Sequence, residues 1–250
     1  MNQNNMDNNM TEYVYDENVV QIEDADASRK FIANVFLWMF VALAISAACA
    51  WVFATDQSLR NFLVDPITGQ RTGLSTFVMF APLGFIFTMS LAFSRLSFPL
   101  LIAFFLAFAV IMGVSLSFII GFYTAGMVYG TFITTSVVFG VMAVAGYTTP
   151  TDLTKFGALL TMLLIGIIIA SVVNLFLGSS GLNMIISYVG VAVFVGLTAY
   201  DVQKLKRIGA GLEYGETSTK KAAIMGALTL YLDFINLFIM LLRVFGGNRR

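Results

Sequence analysis

Asp233 and Asp201 are the residues of this chain best placed to do chemistry. Asp233 lies in Gly226-Ala-Leu-Thr-Leu-Tyr-Leu-Asp233-Phe-Ile-Asn236-Leu-Phe-Ile-Met-Leu-Leu-Arg243, and it is the only formally charged residue within seven long apolar runs. A carboxylate at the centre of a membrane-spanning helix costs about 2.5–3.5 kcal/mol on insertion scales, so it faces the bundle interior and marks an ion pathway, a proton relay or a catalytic centre. Asp201 closes the preceding run, in Val193-Phe-Val-Gly196-Leu-Thr-Ala-Tyr200-Asp201-Val-Gln-Lys-Leu-Lys206. If the two acids meet in a poorly hydrated space, both cannot ionise cheaply. Their titration is then coupled, and the pair holds one proton near neutrality and loses it as pH climbs. The same oxygens suit a hard cation. Two carboxylates are too few for a tight calcium cage, so weak, transient calcium binding at Asp201 and Asp233 fits a permeation path better than storage.

The elements that must position these acids follow from spacing. Thr229, Asp233, Asn236, Met240 and Arg243 recur at helical intervals and share one face, while the rest of that run is apolar. A narrow polar stripe on a greasy helix predicts a central helix whose stripe faces an inner cavity. Thr198 lies one turn before Asp201 and shares its face. Arg95, the only basic residue between the second and third runs, is a further candidate partner for the acids. One difficulty is depth: Asp233 sits mid-run and Asp201 ends its own, a nominal offset of roughly 10–15 Å at about 1.5 Å per residue. Contact requires the sixth helix to continue toward Lys206 with its lysines snorkelling, or a seventh helix displaced toward the cytoplasm. The bland alternative is that Asp233 and Asn236 only hydrogen-bond neighbouring helices.

Composition sets the frame. With 58 % apolar and 11 % charged residues, an ordinary soluble domain is excluded. At about 20 residues per crossing, the runs are Phe31–Phe53, Leu74–Phe93, Phe98–Phe122, Met127–Tyr147, Phe156–Leu177, Leu182–Tyr200 and Ala222–Leu242. Helices satisfy their own backbone in lipid, so the expected fold is an all-α integral membrane bundle of seven helices with the seventh central. Net charge is zero, which gives no nucleic-acid footprint. The absence of histidine removes His-based zinc sites, serine–histidine proteases and the usual near-neutral switch. Cys49 reads as a small apolar packing residue.

Residues 1–30 are Asn-rich and then acidic, and read as a disordered cytoplasmic tail without the basic n-region of a signal peptide. The transmembrane domain is 31–246 and the short C-terminal tail 247–250. Asp65-Pro66-Ile-Thr-Gly69 is a turn signature that closes a short hairpin in the Thr55–Gly73 loop. Gly209–Gly215 reads as a flexible connection. Placing the N-terminus inside puts Arg29, Lys30, Arg95, Lys155, Lys204, Lys206, Arg207, Lys220 and Lys221 in the cytoplasm, against Arg60, Arg71, Arg243, Arg249 and Arg250 outside. That asymmetry favours a cytoplasmic N-terminus and a periplasmic C-terminus. Small residues suggest close helix approach at Ala42, Ser46 and Ala50, at Gly126 and Gly130, and at Gly166 and Ala170.

The stretches Gly196–Lys206 and Met225–Gly246, with Gly146-Tyr-Thr-Thr149 after the fourth run, resemble the signature of the Bax-inhibitor-like (transmembrane Bax inhibitor motif) family, and more closely its bacterial inner-membrane branch. The likeness covers roughly residues 25–250. It implies a seven-helix fold with the last helix at its centre and no cofactor. It further implies a pH-sensitive calcium leak gated by an aspartate pair, which falls on Asp201 and Asp233. An arginine latch at the end of the second helix falls on Arg95. Protonation would cancel the cation site and loosen Arg95, and deprotonation would restore that ion pair and close the path. Some relatives instead modulate a membrane quality-control protease, which adds such a protease to lipid and calcium as expected partners.

Two other functions compete with the leak. A non-transporting partner of a membrane protease would need no ion path at all. An intramembrane aspartyl protease would place Tyr-Asp on one helix and an acid on the next, and Tyr200-Asp201 matches the first half. The second half fails, because such enzymes use Gly-x-Gly-Asp, and here bulky Tyr231 and Leu232 precede Asp233 and obstruct a substrate backbone.

Overall fold

The computed structural model describes residues 17–211 and 216–247, with side chains from residue 26 onward. Its helices in chain order are α1 (Glu17–Thr55), α2 (Gln57–Leu63), α3 (Gly73–Leu91), α4 (Phe98–Ile120), α5 (Ala125–Thr148), α6 (Thr154–Leu177), α7 (Ser180–Ala210) and α8 (Thr217–Gly246). All but α2 are long and apolar enough to cross a membrane. The chain is therefore an all-α integral membrane bundle of seven spans. The helices stop where local chemistry stops them. Pro occupies the first turn of α4, Thr72 and Ser179 side chains cap α3 and α7, and Gly178 takes a left-handed conformation (φ +62°) to end α6.

The last span is the centre, as expected. Helices α1, α4, α5 and α7 all pack against α8, and it is the most thoroughly buried span. Leu228, Leu230, Tyr231, Phe234, Ile235, Leu237 and Phe238 are all buried. A helix apolar on nearly every side has to sit inside a bundle. At the other extreme, α6 packs chiefly on α7 and leaves Met162, Leu175 and Phe176 exposed, as a lipid-facing helix should.

Several boundaries differ from the hydropathy-based ones. The sixth span does not end at Tyr200; α7 runs on to Ala210. Val202, Leu205 and Gly209 on that extension are buried, while Lys204 and Arg207 on its other side are exposed. Amphipathicity carries the helix past the point where mean hydropathy falls. The first helix likewise starts at Glu17, so the tail assignment fails from residue 17 to residue 30. Its Ser28 is buried and donates to the Lys206 carbonyl at 2.9 Å, docking α1 onto the α7 extension. Residues 1–16, 212–215 and 248–250, with the acids Glu12 and Asp16 and the pair Arg249 and Arg250, lie outside the described residues.

Between α1 and α3 the expected loop contains α2, capped by Asp56, whose carboxylate accepts the Ser58 and Leu59 amides. The hairpin reduces to a single antiparallel bridge, Val64 to Arg71, closed by Gly69 at φ +67°. Of the small-residue positions, Ala42, Ser46 and Ala50 are buried in the core. Gly126, Gly130 and Gly166 are not packing sites, since a Cβ at each would meet open space. Small residues mark a crossing only when a partner helix faces them. Gly146 does meet one: a Cβ there would run into the backbone of Ala199, so α5 and α7 touch main chain to main chain.

Candidate functional site

The α7 extension and the central position of α8 bring Asp201 and Asp233 together. Their carboxyls lie within side-chain hydrogen-bonding reach of one another. Asp233 is only 5 % exposed and Asp201 is half-buried. No other donor among the described residues reaches the buried Asp233 Oδ2. An ionised carboxylate is acceptor-only, so two carboxyls can bond only if one keeps a proton. The depth offset expected from residue counts is removed by the continuation of α7, the first of the two routes considered.

Other expected members of the site are placed as follows. Thr198 is fully buried and donates to the Phe194 carbonyl at 2.8 Å, so it is satisfied within its own helix. Thr229 is exposed and donates to Met225 at 3.1 Å. It lines a cleft of about 320 Å³ with Asp201, Lys204, Gly226 and the end of α3 at Ser90 and Phe93. The polar stripe of α8 thus begins in this cleft and continues to Asp233. Asn236 is half-buried, and Arg243, in the last turn of α8, is half-buried at the far end.

Arg95 does not join the acids. It is exposed in the turn between α3 and α4, and the ion pairs among the described residues are Arg29–Asp26 and Arg207–Asp152. The basic group that acts electrostatically on Asp201 is Lys204, one turn further along α7. The reason is helical register: an i+3 neighbour reaches the same face, whereas Arg95 lies in a separate, exposed turn.

A second polar centre lies on the other side of α8 and was missed from sequence. Ser46 Oγ of α1 donates to the Ala109 carbonyl of α4 at 2.7 Å, and its oxygen is also 2.7 Å from the Tyr231 hydroxyl of α8. With the single Ser46 proton spent on Ala109, Tyr231 is the donor in that contact. Tyr231 is fully buried and stands edge-on to Phe108, ring centroids 5.3 Å apart. Beyond it opens a cavity of about 580 Å³ between α1, α4, α5 and α8. Ser46, the partner of Tyr231, lines that cavity, whereas Asp201 lines the cleft. The usable signal is the need of a buried Tyr hydroxyl for a partner.

The base of the bundle is held by side chains from α7. Gln203 accepts the Leu153 amide at 2.9 Å and donates to the Thr151 carbonyl at 2.8 Å. Lys206 Nζ donates to the Tyr147 carbonyl at 2.8 Å. Arg207 bridges Asp152 at 2.7 Å, and hydrogen bonds from Thr154 and from Arg207 hold the Asp152 carboxyl below the usual carboxylate range. No group of three or more His, Cys, Asp or Glu side chains converges among the described residues.

Seven spans around a central helix, with two neighbouring acids between that helix and the one before it, define a multi-pass membrane protein with a carboxyl pair at its core. Residues 28–250 match the family described as Inhibitor of apoptosis-promoting Bax1. The inner membrane protein YbhL of Escherichia coli strain K12 is 43 % identical over 220 residues, covering 88 % of this chain and 92 % of that protein. A Borreliella burgdorferi protein is 42 % identical over 221 residues, 88 % of this chain and 93 % of its own length. A Deinococcus radiodurans protein is 36 % identical over 232 residues, 93 % and 96 % respectively. The chain belongs to this Bax-inhibitor-like family.

Proposed function

We propose that the protein is a pH-sensitive cation leak pathway of the bacterial inner membrane, with calcium as the cation and the Asp201–Asp233 pair as its gate. The observation that carries this is the mutual hydrogen-bonding reach of the two carboxyls, with Asp201 opening on a cleft that it lines together with Lys204 and Thr229. While one proton is shared, α7 and α8 are latched by a carboxyl–carboxylate bond and the pair carries a single negative charge. Loss of that proton leaves two like charges in contact, which separates the helices and makes a stronger, transient site for a divalent cation. Lys204 sits at the mouth of the cleft and takes the electrostatic part expected of Arg95. The face rich in Arg and Lys, including the α7 extension, is the cytoplasmic one, with the C-terminus periplasmic.

The test is calcium flux into proteoliposomes across a pH series. Asp201→Asn and Asp233→Asn each replace the shared proton by a permanent amide donor, so either variant should flatten the pH dependence. Flux that still responds to pH in both would remove the di-aspartate gate. Absence of flux in the wild type at every pH would leave the non-transporting modulator of a membrane protease as the better account, to be tested by loss of its complex on deleting residues 1–25. Peptide hydrolysis is disfavoured, because the Gly-x-Gly-Asp pattern such enzymes use is replaced here by Leu230-Tyr-Leu-Asp233 and Asp233 is buried.

A further inference from the structure

We propose that the large cavity on the far side of Tyr231 holds one acyl chain of an anionic membrane lipid, with the lipid headgroup at Arg60. The cavity measures about 580 Å³, inside the range of about 300–1,000 Å³ typical of small-molecule sites. Its walls are apolar, with Leu43, Ala47, Phe132, Ile235 and Phe238 prominent. The one hydroxyl at its floor, Ser46, is already engaged with Ala109 and Tyr231. Water needs two to four polar partners to settle in a cavity, and a peptide backbone needs partners for its amides and carbonyls. The remaining polar lining is Thr55, which bonds to the Trp51 carbonyl of its own helix, with Tyr123, Tyr129 and Arg60; the walls between are apolar and offer few partners, whereas hydrocarbon needs none.

The entrance faces lipid. Helices α1 and α5 both lean on α8 but are not packed against each other. Across the gap stand Trp51 and Tyr129, ring centroids 6.4 Å apart, each 54 % exposed. Trp and Tyr are the side chains that settle at the headgroup level of a bilayer, so the pair marks the depth of the portal. Arg60 on α2 lines the same cavity, is exposed, and is ion-paired to no carboxylate among the described residues. Its fork suits a phosphate or carboxylate oxygen pair. Greasy interior, aromatic portal and unpaired guanidinium together fit an amphiphile with a negative head. The site does not depend on ion passage, since binding is read without any flux.

The experiment uses the full chain reconstituted with a trace of phosphatidylglycerol carrying a photoactivatable diazirine in one acyl chain, with labelled residues mapped by mass spectrometry. Label is expected on α1 and α8 residues that line the cavity. Ala47 already projects into open space, so Ala47→Phe should cut the α8 label about tenfold by filling the void; Ala48→Phe, on the outer face of α1, should not. Arg60→Gln lies on the exposed α2, leaves the fold intact, and should lower the preference over phosphatidylcholine of the same tails about fivefold, the effect of roughly one basic side chain at an anionic surface. Equal labelling of α6 and the cavity, no effect of either substitution, or rapid reaction of Ala47→Cys (in a Cys49→Ala background) with a membrane-impermeant thiol reagent would overturn the proposal.

Discussion

Removing the Ser46 hydroxyl should cost more than removing the Tyr231 hydroxyl: both break the 2.7 Å contact between them, and the first also removes the bond to Ala109. In Tyr231→Phe, Ser46 keeps its proton on the Ala109 carbonyl, so only a net hydrogen bond of about 0.5–1.5 kcal/mol is lost. In Ser46→Ala, the phenolic proton of a fully buried Tyr231 is left without an acceptor, and a stranded buried donor costs about 1–3 kcal/mol. Measured couplings between membrane helices average about 0.6 kcal/mol and reach about 1.7, which sets the lower half of those ranges as the expectation. The double variant strands nothing and should be milder than the sum of the singles by about 1 kcal/mol. Reversible unfolding in mixed micelles under a denaturing-detergent titration, followed by Trp38 and Trp51 fluorescence, supplies the cycle. A Tyr231→Phe cost equal to or above that of Ser46→Ala, or strict additivity, would refute the donor assignment.

Three further outcomes follow from the site and its supports. Arg95→Gln should leave the pH profile of calcium flux unchanged, while Lys204→Gln should move its midpoint to higher pH, because a cation favouring the ionised pair has been removed; flux assays on the two variants check this. Gly146→Ala puts a methyl into the backbone of Ala199, an obstacle that cannot rotate away, and should lower thermal stability in detergent by about 1–3 kcal/mol. Asp152, held below its ordinary range by Thr154 and Arg207, contributes stability that is full above the usual carboxylate pKa and fades as pH falls through its lowered value. Asp152→Asn should therefore flatten the acid arm of a stability–pH curve, by a small amount because the pair is exposed.

The seven spans and the central place of α8 were legible because lipid demands long apolar helices, and a helix apolar all round can only be inside. The interior place of Asp233 was legible for the complementary reason, that a lone charge there must turn away from lipid. Helix ends were less readable. Hydropathy falls at Tyr200, yet Val202, Leu205 and Gly209 keep one buried stripe on α7, and that stripe decides whether Asp201 can reach Asp233. Pairing across helices was least readable. Nothing local to Arg95 says which way its turn points, and nothing local to Gly126 or Gly146 tells the open one from the crowded one. Ser46 and Tyr231, 185 positions apart, become partners only once α1 and α8 are packed.

The rod that carries Asp201 is the same rod that grips the connection between α5 and α6. Two residues past the acid, Gln203 holds Thr151 and Leu153 from both its amide ends; one turn later Lys206 and Arg207 fasten Tyr147 and Asp152, and Ser28 of α1 ties into the same stretch. A continuous helix of that length turns as a stiff crank. A pull on that loop would therefore load the same helix that holds Asp201 against Asp233.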